Sequence, residues 1–200
     1  MKQLFWKAAK SSNKHDFDEA MAEIKAEKEA AFEWLERELH SYNWSMHTYD
    51  RNCMVDRTDN NASECFNNWI LAYRDRPCLT MLEEIRCRLM KRFTERRNEA
   101  ATWKKQLTPK VLKDLDKKNK IAQKMIIQAS GDLNFQVMDR AYNPPRRFVV
   151  MLESRTCDCG YWEIAGLPCQ HAMAAMGYAR HEVQEYVPTC FSKQAYLSTY

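Results

Sequence analysis

The chain has 200 residues and a formal net charge of +4 at pH 7, and 45% of its residues are hydrophobic. This length suits one or two domains, and the apolar fraction is sufficient for a packed core. With no signal-peptide pattern and no apolar run of membrane-spanning length, we expect neither export nor membrane insertion. The eight cysteines are not arranged as a disulfide framework, and only four glycines indicate a largely helical chain.

The N-terminal part predicts an acidic amphipathic helix. Apolar residues recur at helical spacing from Phe17 to Leu35, and Asn13 can cap this helix, with Asp16 in its first turn. The segment 16–38 contains nine acidic and three basic residues. A polar loop is expected to follow, from His40 to Asn61.

Two further helices are predicted after this loop, over Glu64 to Tyr73 and from Pro77 onwards. The longer one has a stripe of apolar residues on one side: Leu82, Ile85, Leu89 and Phe93. We expect this stripe to be either core or a seam for another chain.

Positive charge is concentrated in the segment 83–124, which holds fourteen basic and six acidic residues, a local net charge of +8. Such a segment can attract a phosphate backbone through counterion release, although a Lys/Arg-rich helix is often only a solvated face. We expect weak, non-specific contact with duplex DNA through a set of basic side chains: Arg92, Arg96, Arg97, Lys104 and Lys105, with Arg146 and Arg147 further along the chain.

Strand signals begin in the last third of the chain. Helical character fades near Thr108-Pro109, and Val111 to Met125 predicts a basic helix or a linker. A hairpin is expected over 133–139 and 146–153, turning at Asn143-Pro144-Pro145. The predicted fold class is α+β, mostly α, with a helical domain at 1–125 followed at 126–200 by a small hairpin-and-helix module and a tail.

Four residues in this module have the spacing of a zinc site: Cys157, Cys159, Cys169 and His171. Alternate residues of an extended chain share a face, so the first two cysteines can point at one ion. Pro168 disfavours helix at Leu167, so a helix over Gln170–Ala179 would begin at the second pair. Because three thiolates and an imidazole fill a tetrahedron, we predict a closed structural zinc centre.

Alternatives to this zinc site are reduced cysteines in a loop and an iron–sulfur cluster, for which a Cys-x-His pair is a poorer fit. Cys190 and His181 are the possible substitute ligands, although the sequence has no second ligand at finger spacing from either of them. We also expect zinc removal to melt the segment 135–179 while sparing the N-terminal helices, because a small hairpin and helix bury too little to stand alone.

The finger pattern resembles the SWIM zinc finger, and "SRTCDCGYWEIAGLPCQHAMAAM" is similar to the version in plant Mutator-like transposases and proteins derived from them. The resemblance includes Trp162 and the step Gly166-Leu167-Pro168 before the third ligand. It implies zinc binding, contact with DNA or a nuclear protein, and a nuclear location.

The upstream segments "LFWKAAK", "DNNASECFNNWI" and "FNNWILAYRDRPCLTMLEEIRCRLMKR" also resemble these transposases. The resemblance implies that residues 1–125 correspond to the C-terminal portion of an RNase H-like catalytic domain. That domain cuts DNA with two aspartates and a glutamate that hold divalent metals, and Glu64 matches the glutamate.

The family's two aspartates precede "LFWKAAK", so we expect them to lie outside this chain. The chain's own aspartates after that segment, at positions 16, 18, 50, 56 and 59, do not match the motif. Because one glutamate cannot organise a two-metal site, we expect a zinc-binding, transposase-derived protein that is not an enzyme. The alternative is a partial DDE-type transposase whose Glu64 completes an active site with aspartates from elsewhere.

Overall fold

A computed structural model of the protein describes residues 1–58 and 61–200, with Ala62 as backbone only. The α-helices are α1 (Lys2–Ala9), α2 (Lys14–Glu27), α3 (Glu29–Glu38), α4 (Asn61–Ile70), α5 (Cys78–Ala101), α6 (Pro109–Ala122), α7 (Tyr161–Ala165), α8 (Gln170–Ala179) and α9 (Lys193–Thr199). The strands are β1 (Ile126–Gly131), β2 (Asn134–Asp139), β3 (Arg146–Met151) and β4 (Thr156–Cys157). The predicted class, α+β and mostly α, is confirmed.

The described chain forms two compact units, and each combines separate stretches of sequence. The first contains Met1–Thr58 and Asp114–Pro188, and the second contains Asp59–Lys113 and Thr189–Tyr200. This division differs from the predicted boundary between residues 125 and 126. The N-terminal helices belong to the same unit as the cysteine module because side chains from both parts pack and bond together, as described below.

The acidic N-terminal segment forms two helices where the sequence predicted one. Asn13 caps α2 as expected, since its side chain accepts a hydrogen bond from the backbone N–H of Asp16 (2.9 Å). The helix then breaks at Lys28, whose backbone is extended (φ −156°, ψ 96°). This break lets α2 and α3 bury apolar residues in one cluster, which includes Phe17, Ile24 and Leu35.

Residues 40–58 of the segment predicted as a polar loop contain no α-helix or strand, but they are not wholly solvated, and the last residue of the predicted loop, Asn61, begins α4. Residues 40–58 contain three short 3₁₀ turns, at Ser41–Asn43, Met46–Thr48 and Arg51–Cys53. Ser45 and Met46 are buried, and the Ser45 hydroxyl donates to the carbonyl of Ala8 (3.0 Å). Residues 59 and 60 of the predicted loop lie outside the described residues.

The predicted hairpin is the middle of an antiparallel four-stranded sheet with the order β1-β2-β3-β4. β2 and β3 match the predicted strands closely. β1 was missed because most of its residues are exposed, so it lacks the alternation that marks a half-buried strand. Phe135, Val137, Phe148 and Val150 are buried, and β2 and β3 contact α8.

The second unit has a small core. The helix predicted over 64–73 is α4 followed by a 3₁₀ turn at Leu71–Tyr73, and α5 begins directly after Pro77 as expected. The apolar stripe of α5 is not buried by the described residues, since Leu82 is 53% and Phe93 41% exposed. Within these residues α5 contacts α9 and the 3₁₀ turn at Leu71–Tyr73, and Tyr200 packs edge-on against Phe93 (5.7 Å between ring centroids).

The segment from Val111 to Met125, predicted as a helix or a linker, is mostly helical, because α6 covers Pro109–Ala122. Over the described residues 1–58 and 61–200, no helix combines the length and apolar character needed to cross a bilayer.

Candidate metal centre

The structure brings together all four predicted ligands. Cys157 lies on β4, Cys159 follows in the turn, Cys169 is the N-cap of α8, and His171 lies in its first turn. All four are buried; Cys169 is 0% and His171 1% exposed. The Sγ atom of Cys169 accepts a hydrogen bond from the backbone N–H of Ala172 (3.3 Å), so the positive end of the helix faces a thiolate.

The spacing of the donor atoms fits one tetrahedral zinc ion. All four donor atoms lie within 4.8 Å of one another. The Nδ1 atom of His171 is 3.7 Å from Cys157 Sγ and 3.9 Å from Cys169 Sγ. Zinc bonds of about 2.3 Å to sulfur and about 2.0 Å to nitrogen place such atoms about 3.6 Å apart in a tetrahedron. Zinc, bound by Nδ1 of the histidine and three sulfurs, therefore suits this donor set.

The three buried cysteine thiols also favour binding of a cation. Hydrogen bonds with Cys159 and Cys169, together with burial, raise the pKa of the Cys157 thiol well above its ordinary value. Three thiolates cannot be held together in a dry site without positive charge, and a bound metal ion lowers the cost of deprotonating them. The guanidinium of Arg155, two residues before Cys157, donates to the carbonyl of Glu185 (3.2 Å).

Sequence reasoning missed the residue that orients the histidine. His171 Nε2 lies 3.4 Å from Asp139 Oδ2, and both residues are buried. The other carboxylate oxygen of Asp139 accepts from the backbone N–H of Ala141 (2.8 Å). On one face, the imidazole stacks on Phe148 (4.0 Å between centroids). A carboxylate behind a metal-bound histidine fixes the tautomer that presents the other nitrogen to the metal.

A second carboxylate supports the turn between the first two ligands. Glu163, on α7, accepts a hydrogen bond from the backbone N–H of Cys157 (3.3 Å). Its other oxygen lies 3.7 Å from an Nη1 of Arg51. Burial raises the pKa of Glu163. The hydrogen bond to Cys157 connects α7 to β4. The contact with Arg51 connects α7 to the segment that precedes residue 58.

The N-terminal segment packs directly against the metal-binding turn. The Ser12 hydroxyl donates to the carbonyl of Cys159 (2.6 Å), and the Asn13 amide donates to the same oxygen (3.3 Å). Gly160 has φ +71°, and a Cβ there would lie 2.2 Å from the carbonyl oxygen of Ser12. Glycine is required at position 160 for both reasons.

Two further contacts hold residues 1–58 against the module. The Tyr161 hydroxyl donates to Asp56 (2.9 Å). From outside this segment, Lys118 of α6 places its Nζ 4.4 Å from the centre of the same Tyr161 ring. Burial and the neighbouring Asp56 raise the pKa of Tyr161. Gly166 (φ +68°) leaves space for Met54, whose side chain would lie 2.8 Å from an added Cβ.

The basic residues expected to contact DNA fall into two groups. Arg96 pairs with Glu99 (2.8 Å), Arg97 donates to the backbone carbonyl of Tyr200, and Arg146 pairs with Asp16 and Glu19. The others have exposed side chains and form no ion pair within the described residues: Arg92, Lys104, Lys105 and Arg147.

Glu64 lies in the first turn of α4 and is exposed. Asp50 and Asp56 precede Glu64 in the sequence and do not match the catalytic motif. Both belong to the first compact unit, whereas Glu64 belongs to the second. Asp50 caps a 3₁₀ turn by accepting from the N–H of Asn52, and Asp56 accepts from Tyr161.

Comparison with known proteins identifies the module but not the rest of the chain. No curated protein and no solved structure gives a significant match to the sequence. Residues 148–179 match the SWIM zinc finger family, and this range contains all four ligands. Residues 148–179 thus match a SWIM zinc finger, and Cys157, Cys159, Cys169 and His171 within this range are placed to hold one zinc ion.

Proposed function

We propose that this protein is a transposase-derived nuclear binding module, stabilised by zinc, that contacts duplex DNA weakly and without sequence preference. The observation that carries the proposal is the closed Cys₃His centre. All four ligand positions of a tetrahedral ion are filled by buried protein atoms. Such a site has no position for a substrate water, so its role is to build a surface and not to catalyse a reaction.

Contact with DNA is assigned to exposed cations of each unit separately, Arg92, Lys104 and Lys105 in the second unit and Arg147 in the first, because none forms an ion pair within the described residues. Phosphate contacts release counterions, so affinity should fall with salt with a log–log slope of a few units if roughly three to six phosphates are neutralised. The resemblance to Mutator-like transposases supports the nuclear location and the choice of DNA.

Fluorescence anisotropy with a labelled duplex at three salt concentrations tests this assignment. The triple variant Arg92→Gln, Lys104→Gln and Lys105→Gln should weaken binding and reduce the salt slope by roughly two to three units. A matched control replaces three engaged cations of α5 with glutamine: Arg86, Arg96 and Arg97. Binding that does not depend on salt, or an equal loss in both triple variants, would contradict the assignment.

We further propose that the chain alone neither cleaves nor joins DNA. The resemblance supplies one acid, Glu64, and a two-metal phosphoryl-transfer site needs several carboxylates. A nicking assay with Mg²⁺ or Mn²⁺ should give no product. Cleavage that Glu64→Gln abolished would favour the alternative, a partial DDE-type transposase whose Glu64 works with aspartates outside this chain.

A protein partner is the second candidate for what the module binds. The exposed stripe on α5 favours it, since Leu82 and Phe93 leave much of their apolar surface in water. If the duplex titrations show no binding, a nuclear protein becomes the preferred partner. Size-exclusion mass at two protein concentrations would then test whether the stripe joins two copies of this chain.

A further inference from the structure

One arginine beside the zinc finger forms ion pairs with two carboxylates of this chain. Arg146 is the first residue of β3, and its two terminal nitrogens bond Asp16 and Glu19 of α2; the bond to Glu19 measures 2.6 Å. The guanidinium also lies over the ring of Tyr142, 4.8 Å from its centre. The Arg146 side chain is only 23% exposed.

The carboxylates of α2 are arranged as a cation site. Donor atoms of His15, Asp16 and Glu19 lie within 4.8 Å of one another, and the cation that the fold supplies to Asp16 and Glu19 is the Arg146 guanidinium. Each terminal nitrogen of Arg146 donates to one carboxylate oxygen. An arginine that binds two oxygens of a phosphate donates from two nitrogens in the same way. The α2 carboxylates thus take the place that a phosphate would take.

This arrangement reverses the charge of the surface beside the finger. Arg146 and Arg147 line one cleft together with Asp16 and Asp158. With Glu19 included, these five side chains carry two positive and three negative charges. The five side chains together are therefore weakly acidic in the folded protein, and in this state they attract phosphate less than two unpaired arginines would.

We propose that α2 masks the phosphate-binding arginine of the finger, so that Asp16 and Glu19 compete with nucleic-acid phosphate for Arg146. The proposal rests on the DNA contact proposed above and adds its regulation. In the masked state only Arg147, of the two adjacent arginines, contributes to binding. Displacement of the α2 carboxylates frees Arg146 to contact one further phosphate.

The test is the affinity of the full-length, zinc-loaded chain for a labelled duplex, measured by anisotropy at three salt concentrations. The double variant Asp16→Asn, Glu19→Gln removes both charges and keeps oxygen acceptors, including one for the Asn13 amide that now bonds Asp16. We expect binding at low salt to be roughly tenfold tighter, with a salt slope steeper by about one unit, because one more phosphate is contacted. Adding Arg146→Gln should abolish the gain.

The same helix offers a matched control. Asp18 pairs with Lys14 (2.8 Å) and Glu23 pairs with Lys7 (2.6 Å), so Asp18→Asn, Glu23→Gln removes the same charge and also releases two cations. An equal gain in this control would mean that net charge matters and that masking of Arg146 is wrong. Failure of Arg146→Gln to reverse the gain would overturn the proposal as well.

The outcomes separate this proposal from the one on which it rests. If the wild-type chain binds duplex with a salt slope and the double variant binds no better, the mask is refuted while DNA contact stands. If neither protein binds at any salt concentration, both proposals fail. Zinc content and circular dichroism check that the variants fold, and should the double variant unfold, Glu19→Gln alone must still tighten binding, by roughly threefold.

Discussion

The hydroxyl of Ser12 donates a 2.6 Å hydrogen bond to the carbonyl oxygen of Cys159, the second zinc ligand, across 147 residues of sequence. The contact ties the start of α2 to the turn that holds the metal. Asn13, which caps α2, donates to the same oxygen. We therefore expect formation of the zinc site and docking of the N-terminal helices to be coupled, which the sequence did not predict.

The first prediction concerns the ligands. The purified chain should contain about one zinc ion, and Cys159→Ser or His171→Ala should each reduce zinc content strongly, because a closed tetrahedral site needs all four donors. Elemental analysis measures this. Cys53→Ser, in the same unit but exposed and outside the cluster, is the control and should retain zinc. A requirement for Cys190 in place of Cys169 would show that the ligand assignment is wrong.

Loss of the carboxylate behind the histidine should weaken zinc binding without removing a ligand. Asp139→Asn should lower zinc affinity roughly 10- to 100-fold, because the carboxylate fixes the orientation and tautomer of His171. Competition with a chromophoric chelator gives the affinity. Asp132→Asn, in the turn between β1 and β2, removes the same charge away from the cluster and should leave affinity unchanged. Equal affinities in the two variants would mean that Asp139 does not position the ligand.

Two glycines with positive φ allow the contact at Ser12 to be measured. Gly160 has φ +71° and a Cβ would lie 2.2 Å from the Ser12 carbonyl oxygen, whereas Gly131 has φ +88° with nothing within 4 Å. Both alanine variants bear the cost of the left-handed backbone, but only Gly160→Ala must also move Ser12. We expect Gly160→Ala to lower the free energy of unfolding by roughly 1–3 kcal/mol more than Gly131→Ala. Thermal unfolding of the zinc-loaded proteins makes the comparison, and similar losses would show that Ser12 moves away at little cost.

Zinc removal should loosen more than the finger. The sequence predicted that a chelator would spare the N-terminal helices, but Ser12 and Asn13 bond the metal-binding turn and Arg146 bonds α2. We now expect hydrogen exchange to speed up in α2 as well as in the sheet and α8, because the turn that these residues contact loses its fixed shape. α5, in the other compact unit, serves as the internal control and should exchange at an unchanged rate. Unchanged protection of α2 after chelation would restore the original expectation.

Local features of the sequence were enough to predict the zinc site. The Cys-x-Cys spacing placed Cys157 and Cys159 at one site, although the extended chain ends at Cys157 and a turn closed by the N–H of Gly160 on the Cys157 carbonyl (2.8 Å) carries Cys159. Cys169 caps a helix because Pro168 prevents an earlier start. The Asn13 cap and the start of α5 after Pro77 were predicted for the same reason, since each depends on a few adjacent residues. β1 was missed because its exposed residues leave no periodic signal.

The tertiary structure alone decided which distant residues support and surround that site. Asp139 lies 32 residues before His171, and Asp16 lies 130 residues before Arg146. Nothing in the local pattern of either partner indicates these pairs, because they form only when the sheet, α8 and the N-terminal helices pack together. The exposure of Leu82 and Phe93 was decided in the same way, since periodicity marks an apolar face but not what covers it. The sequence by itself thus determined the zinc ligands and the local elements that carry them, whereas long-range packing decided the supporting carboxylate, the docked helices and the charge of the surface beside the finger.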